Sequence, residues 1–540
     1  MDSRAGLYLR VHSRRSAAGL IFKLHSGRVC ASIPIPMSDR TSWAFLPIYR
    51  SEEVRKIEAL AQARTDPPRL MECAGQAAAD LARELVVDSR KPVLVLAGPG
   101  NNGGDGFVVA RHLKQSWHQV RVAFSGDRAK LSEDAGNAFD AWQAAGGETS
   151  TELPEPALAS FGLVVDALFG IGLERALAGR YADWVARVNS SNAPVLAVDI
   201  PSGLHADSGR ILGCAMRARH TVTFIALKPG LLTLDGPDCC GEVHLRDLGI
   251  DAQTLVPAHG RLIGEEAVRT ILPRRLLNSH KGTFGNVGIV GGAAGMTGAA
   301  LLAGRAALKL GAGRIYVGFI GTDSPRLDLL QPELMLRGAS EVLAMDDLSC
   351  LVLGPGLSQS VAAYDAVRHG LELATPLVLD ADALNLLGTH AELVEVCRSR
   401  SAPTVLTPHP AEAARLLHTT TAAVQGDRVS AALALAESYR ASVALKGVGT
   451  VVAFVSGNYG INPSGNPGLA SAGMGDVLSG ILGGLLGQGA QPEAAVTAAV
   501  HLHGAAADRL YRDQGGPIGL TASEVTDAAR KILNQSLYGS

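Results

Sequence analysis

A glycine-rich turn that ends in an aspartate is the segment of this sequence best suited to chemistry. Asn466-Pro-Gly-Leu-Ala-Ser-Ala-Gly-Met-Gly-Asp476 leads into the apolar run Val477-Leu-Ser-Gly-Ile-Leu482. Small residues permit a tight turn whose backbone N–H groups, backed by a helix N-terminus, bind an anion. An aspartate in the first helical turn then sits beside the phosphate those groups hold. There it can take a proton from an alcohol while the donors stabilise a phosphoryl group in transfer. The plainer alternative is a turn whose aspartate only complements the helix dipole; the crowding of glycines weighs against it.

Other groups fall on the same expected edge. Lys446-Gly447-Val448-Gly449-Thr450 offers a cation, a hydroxyl and close backbone approach to a nucleotide phosphate. Asp380-Ala-Asp382 follows an apolar run and has the oxygens to hold Mg²⁺ through water. Pro408-His409-Pro410 fixes a histidine in a rigid turn, which fits a structural role and a ligand contact equally. Gly291-Gly292 through Thr297-Gly298-Ala299, and Gly354-Pro-Gly356, are two further loops that let a ligand approach the backbone.

The first half carries a different set. Ala97-Gly-Pro-Gly-Asn-Asn-Gly-Gly-Asp-Gly106 contains a G-x-G-x-x-G pattern at Gly98, Gly100 and Gly103, with Asp127 after the next apolar run. That pattern alone suggests a dinucleotide fold, but Asp105 falls where a pyrophosphate would sit and would repel it. Asn101 and Asn102 add oxygens suited to a hard cation. Asp166 and Asp199 each end an apolar run, followed by Ala-Leu-Phe-Gly170-Ile171-Gly172 and by Ile-Pro-Ser202-Gly203. A single aspartate after a strand is more often a turn former; three acids converging on an asparagine-rich loop are harder to dismiss.

These residues need a scaffold, and the sequence supplies one twice. Short apolar runs at Val93–Leu96, Val120–Phe124, Leu163–Asp166, Val195–Asp199 and Thr221–Ile225 alternate with helical stretches. A second series runs through Val287–Val290, Ile315–Phe319, Leu351–Leu353, Leu377–Asp380, Thr404–Thr407 and Val443–Lys446. Alternation of this kind predicts parallel sheets covered on both faces, with ligands beyond the carboxyl ends of the strands. Ser51 to Glu84 reads as helical. The charge-free stretch from Asn286 to Gly304 is long enough for a membrane span, but its many Gly and Ala predict a strand, a loop and a buried helix instead. We divide the chain into a basic extension over residues 1–45, domains over 46–255 and 276–535, and a junction over 256–275. The two series do not repeat each other, so the chain is a fusion.

Composition bounds the class. With 47% hydrophobic residues, 19% charged residues and a net charge of −2, the chain has no electrostatic footprint for nucleic acid or an anionic membrane. Seven cysteines without a C-x-x-C pair predict a reducing compartment; Cys239-Cys240 reads as incidental. The arginine-rich, acid-poor first forty residues fit a transit-like leader, a disordered extension or an early start codon.

Gly100-Asn-Asn-Gly-Gly-Asp-Gly106, Asp166-Ala-Leu-Phe-Gly170, Val198-Asp-Ile-Pro-Ser-Gly203 and Leu70-Met-Glu72 with Ala74-Gly75 resemble the NAD(P)H-hydrate epimerase family over roughly residues 46 to 255. Gly473-Met-Gly-Asp476 resembles the catalytic turn of the ribokinase-like superfamily, and the loops at Gly298-Ala299, Gly354-Pro-Gly356 and His409 narrow that to the ADP-dependent NAD(P)H-hydrate dehydratases, over roughly 270 to 535. The resemblance implies an α/β chain with a Rossmann-like three-layer domain fused to a ribokinase-like one. It implies K⁺ held by Asn102, Asp166 and Ser202, and epimerase substrate contacts from Asn101, Asn102, Gly103, Gly104, Asp105, Gly170, Ile171, Gly172, Leu173 and Asp199, with Asp199 as acid–base. In the second half it implies nucleotide contacts from Lys446, Gly447, Val448, Gly449, Thr450 and Gly475. Ala299, Gly356, His409 and Asp476 would face the hydrated ring, with Asp476 catalytic. The expected ligands are NADH and NADPH hydrates, ADP and Mg²⁺, and the expected setting is a cytoplasmic homo-oligomer. A small-alcohol kinase carrying a Rossmann-like binding module is the competing expectation.

Overall fold

The apolar runs of the first half become the central strands of a seven-stranded, all-parallel sheet. In space the order is Thr149–Ser150, Val120–Phe124, Val93–Ala97, Leu163–Ala167, Val195–Val198, His220–Phe224, Glu242–Arg246. Val93–Ala97 and Leu163–Ala167 are buried along their whole length, as continuous apolar strands with helices on both faces must be. The chain first builds outward from Val93–Ala97 and then returns to its other side, so the switch point lies between that strand and Leu163–Ala167. The loops after both strands therefore flank the crevice where open sheets bind ligands. The computed structural model describes residues 46–154, 158–321 and 324–539; the basic extension expected over 1–45 lies outside the described residues.

The second series forms an eleven-stranded sheet. Its parallel part runs Ser442–Leu445, Thr404–Leu406, Leu377–Leu379, Cys350–Leu353, Asn286–Gly291, Arg314–Phe319, Met335–Gly338. Its switch point lies between Asn286–Gly291 and Cys350–Leu353. Beyond Ser442–Leu445 the sheet continues with antiparallel Thr450–Ala453 and Tyr459–Asn462, then Gly260–Leu262 and Pro47–Ile48. The helices Thr297–Lys309 and Met474–Gly487 cross on one face so closely that a Cβ on Gly480 would lie 2.1 Å from the Ala303 carbonyl oxygen. Only glycine allows that approach. The stretch from Asn286 to Gly304 is the expected strand, loop and helix, and among the described residues no helix is long and apolar enough to cross a membrane.

The junction differs from expectation. Residues 256–275 contain the strand Gly260–Leu262, which pairs with Tyr459–Asn462 and so belongs to the second sheet. Pro47–Ile48, at the start of the first domain, extends that same sheet. Strands of two or three residues carry too little apolar pattern to announce themselves; partners two hundred residues away define them. The halves also share core. Ile48, Ile200, Leu231 and Leu245 belong to one apolar cluster with Leu353, Leu379, Leu406 and Ile461.

Candidate active sites

The first site is a cavity of about 720 Å³ at the switch point of the seven-stranded sheet. Its walls come from the helices Ser51–Gln62 and Leu70–Leu85, the glycine loop and the loop after Leu163–Ala167. Asn101, Asn102, Asp105, Gly170, Ile171, Gly172, Leu173 and Asp199 all line it. Gly103 and Gly104 do not: a Cβ on either would strike the Gly98 carbonyl oxygen or the Met71 side chain, so both serve close packing. The helix begins at Asn101, which puts Asp105 in its second turn rather than at its N-terminus. Asp127 lies outside the cavity and caps a short turn by accepting from the Ala129 N–H.

Asp199 sits at φ +68°, a left-handed conformation that aims its carboxylate into the cavity. Its Oδ1 accepts from Lys228 Nζ at 2.7 Å and its Oδ2 from the Ile171 N–H at 3.2 Å. Lys228 is 1% exposed and spends its remaining protons on Thr223 Oγ1 at 2.8 Å and the Phe224 carbonyl at 2.9 Å. Facing the pair, burial and then the Asp199 and Glu58 carboxylates push Asp105 well above the usual carboxylate range. Glu58 is raised by burial and Asp199 against the pull of Lys228 and Arg55.

Beneath the cavity floor Asp166 is wholly buried. It accepts from Ser202 N at 2.8 Å and Ser202 Oγ at 2.6 Å, yet burial outweighs those bonds and pushes it to about 6. Asn102 is buried with neither side-chain polar atom bonded. A buried carboxylate without a counter-cation and an orphaned amide oxygen are what a monovalent cation site looks like before its ion; these residues fit K⁺.

The second site lies beyond the carboxyl ends of the parallel strands in the other sheet. Asp476 is the third residue of its helix, after Gly473 at φ +84°. Burial and Asp380 raise its pKa to about 6, against the pull of Lys446. Lys446 Nζ donates to Asp380 Oδ1 at 2.8 Å, lies 3.9 Å from Glu412 Oε2 and would touch a Cβ on Gly475 at 3.4 Å. Burial pulls the ammonium down, but Asp380 and Glu412 outweigh it and its pKa is raised. Burial lifts Glu412 to about 7. The buried Arg428 donates to the carbonyls of Leu445 and Lys446 at 3.1 and 3.2 Å, fixing the start of the Lys446–Thr450 loop.

Ala299 and Gly356 lie side by side, a Cβ on Gly356 lying 3.1 Å from that of Ala299. His409 takes the structural reading in part: its Nδ1 accepts from the N–H groups of Ala411 and Glu412, capping the helix Pro410–Leu416. Gly449 backs onto the first domain, where a Cβ would strike the Leu232 carbonyl, and the Val448 carbonyl accepts from Leu234 N at 3.3 Å. Asp382 is turned away to Ser358 N and Asn385, and both oxygens of Asp380 are engaged by Lys446 and Ser479. Asp380 and Asp382 thus turn to different protein partners rather than to one another.

Lys228, Glu58, Glu412 and Ser479 were not picked out in the sequence. Lys228 follows the recognised run Thr221–Ile225 by three residues, and Ser479 lies one helical turn beyond Asp476; both positions were legible. Glu58 and Glu412 reach their sites only through tertiary packing.

Known proteins share both halves of the chain. A family model described as NAD(P)H-hydrate dehydratase matches residues 287–531, and one described as YjeF-related protein N-terminus matches residues 68–230. The bifunctional NAD(P)H-hydrate repair enzyme Nnr of Coxiella burnetii is 39% identical over 499 residues, covering 90% of this chain and 99% of its own. The Escherichia coli enzyme of the same name is 40% identical over 480 residues, covering 86% and 89%. The crystal structure of a Bacillus subtilis ADP/ATP-dependent NAD(P)H-hydrate dehydratase, co-crystallised with ATP and Mg²⁺, is 33% identical, covers 50% of this chain and 97% of its own, and superposes with a TM-score of 0.44. With relatives of that identity spanning both of its halves, the chain belongs to the family of bifunctional NAD(P)H-hydrate repair enzymes.

Proposed function

We propose that this chain returns hydrated NADH and NADPH to working cofactor in two steps, one in each half. In the first cavity the hydrated nicotinamide ring lies beside Asp199, which moves a proton at the C6 hydroxyl as that group departs and returns on the other face. Lys228 does not touch the ring; it holds the Asp199 carboxylate. Asn101, Asn102, Asp105 and the Gly170–Leu173 loop contact the substrate. Asn102, Asp166 and Ser202 would hold K⁺, which supplies the positive charge that Asp166 lacks.

In the second half the Lys446–Thr450 loop and Gly475 receive ADP, while Ala299, Gly356, His409 and Asp476 face the S epimer. Asp476 takes the C6 hydroxyl proton as the terminal phosphoryl passes from ADP to that oxygen, leaving AMP. Phosphate then departs with the ring C6–O bond and a proton leaves the neighbouring carbon, which restores the double bond. Mg²⁺ belongs to this reading as a companion of the ADP phosphates. The first domain is residues 46–255, and the second reaches to about residue 535 from the strand Gly260–Leu262, which pairs in its sheet. The setting is a cytoplasmic homo-oligomer acting on small molecules, without nucleic acid or membrane partners.

The observation that carries the reading is Asp476, raised to about 6 in the first turn behind a glycine loop and beside the Lys446 ammonium. The test adds protein, Mg²⁺ and ADP to equilibrated NADH hydrate epimers and follows the absorbance of reduced nicotinamide. A rise beyond the S fraction, faster than spontaneous epimerisation, supports both steps. A rise that stops at the S fraction removes the first. No rise with ADP or ATP makes the small-alcohol kinase the better reading.

A further inference from the structure

The last two strands of the seven-stranded sheet place three metal-ligand side chains together at the end remote from the cavity. His220 opens the strand His220–Phe224, and Glu242 and His244 lie on its parallel neighbour Glu242–Arg246. His220 stands opposite Glu242 in the register. Laterally paired residues share a face of a pleated sheet, as do residues two apart on one strand. All three side chains therefore project to the same side.

Their spacing is that of a coordination face. His220 Nδ1 and His244 Nε2 are 3.2 Å apart. Glu242 Oε2 is 3.6 Å from the first, and Oε1 is 3.7 Å from the second. Two ligands about 2.0–2.1 Å from a tetrahedral ion are about 3.3–3.4 Å from each other, so small side-chain adjustments close all three edges on one centre. Hydrogen bonding links the two imidazoles to each other at that 3.2 Å contact and leaves the carboxylate out. The two contacts to Glu242 are too long to be hydrogen bonds. His244 is 4% exposed, and its Nδ1 is buried with no partner among the described residues. The site is also open on one side, because the His220 and Glu242 side chains keep 19% and 30% of their exposure. That opening admits an ion and leaves room for a water ligand.

We propose that His220, Glu242 and His244 bind a divalent late first-row metal ion, Zn²⁺ foremost, through two imidazoles and one carboxylate with water completing the shell. Imidazole selects such ions over Mg²⁺ and K⁺, which prefer oxygen, so the site is chemically separate from the cation sites of the repair reactions. The ion ties the edge strand of the sheet to its neighbour. That neighbour leads at its other end to Lys228, so the tie anchors the base of the element that holds Asp199.

The test uses the full chain, stripped with a chelator and returned to K⁺ buffer. Co²⁺ added as a probe should give visible ligand-field absorption that saturates at one equivalent and is displaced by Zn²⁺, and Zn²⁺ should raise the melting temperature by several degrees. His220→Gln and Glu242→Gln, both at partly exposed positions, should abolish both responses while keeping the metal-free melting temperature and the dehydration rate. Absorption that never saturates, or a Co²⁺ spectrum and Zn²⁺ stabilisation that persist in both variants, would overturn the proposal.

Discussion

Each half buries a lysine against an aspartate beyond a parallel strand, yet the two ammonium groups end in opposite states. Lys228 spends all three protons inside the protein, on Asp199, Thr223 and Phe224, and is 1% exposed. Lys446 makes one short bond, to Asp380, and its side chain keeps 21% of its exposure beside Gly475. An ammonium has three donors, so the first is saturated and the second has capacity left for an incoming anion. The contrast follows the chemistry proposed for each site. Moving a proton at a hydroxyl needs a carboxylate held still; transferring a phosphoryl group needs a cation that can meet a phosphate. The same pair of residue types serves both because packing decides how many of the lysine's donors remain free.

The largest effect should come from removing the base on the phosphoryl side. Asp476→Asn should lower dehydration of the S epimer by roughly 10²–10⁴-fold, the usual worth of a placed general base, and leave epimerisation at the parental rate. Stopped assays that follow each epimer separately read both. A matched fall in the two rates would break the comparison, because the sites would then not be chemically independent.

The lysines test it from the other side. Lys228→Met leaves the Asp199 carboxylate without its buried partner, a change that costs about 3–5 kcal/mol and should slow epimerisation roughly tenfold to hundredfold without altering the KM for ADP. Lys446→Met should raise that KM and destabilise the chain less, since its site is wetter. Urea titration and nucleotide dependence of the two variants separate them. Equal losses of stability, or an ADP effect in Lys228→Met, would erase the distinction between saturated and free ammonium.

How much of this was readable in the sequence depends on what each feature rests on. The central strands were legible because a strand buried on both faces must be a continuous apolar run, and Val93–Ala97 and Cys350–Leu353 are such runs. Asp476, Asp199 and Asp166 were legible because each follows a strand or opens a helix in a glycine-rich setting. Asp382 had the same local signature and proved to be a loop anchor for Ser358; the sequence cannot say which way a carboxylate turns after a residue such as Ala381 at φ +48°. Glu58 and Glu412 were invisible for the complementary reason, being ordinary helical acids until the fold brings them beside Lys228 and Lys446.

A pH profile sharpens the contrast by a smaller margin. Asp476 must be ionised to accept a proton, and it is raised to about 6, so dehydration should fall tenfold per unit as the pH drops below about 6. Its effect on stability runs the other way. A carboxylate whose folded pKa is raised binds its proton more tightly in the native state, so its contribution is greatest below the unfolded value of about 3.9 and declines as the pH rises toward about 6. The dehydratase half should therefore lose activity in the very window where this residue favours folding. An Asp476→Asn variant would flatten that part of the stability curve; an unchanged curve would mean that the Asp476 carboxyl is not raised in the folded chain.

The smallest effect concerns how the halves are joined. Arg50 makes a two-pronged pair with Asp427 at 3.2 and 3.4 Å and also donates to Ser430, and it is the most conspicuous charged contact between them. Arg50 and Asp427 keep 28% and 39% of their side-chain exposure, so solvent screens the pair and its worth is about 0–1 kcal/mol. The apolar seam behind it is a different matter. Ile48 and Tyr49 are both fully buried, the first in the second sheet and the second bonded to the Val256 carbonyl at 2.7 Å and to Leu227. These two residues stitch one strand into both domains, and hydrophobic burial of that kind is worth several times a screened ion pair. Arg50→Ala should then shift the melting temperature by no more than about 2 °C and leave both activities intact. Two separated unfolding transitions in that variant would show that the surface pair, and not the buried strand, holds the half with the saturated lysine to the half whose lysine keeps donors free.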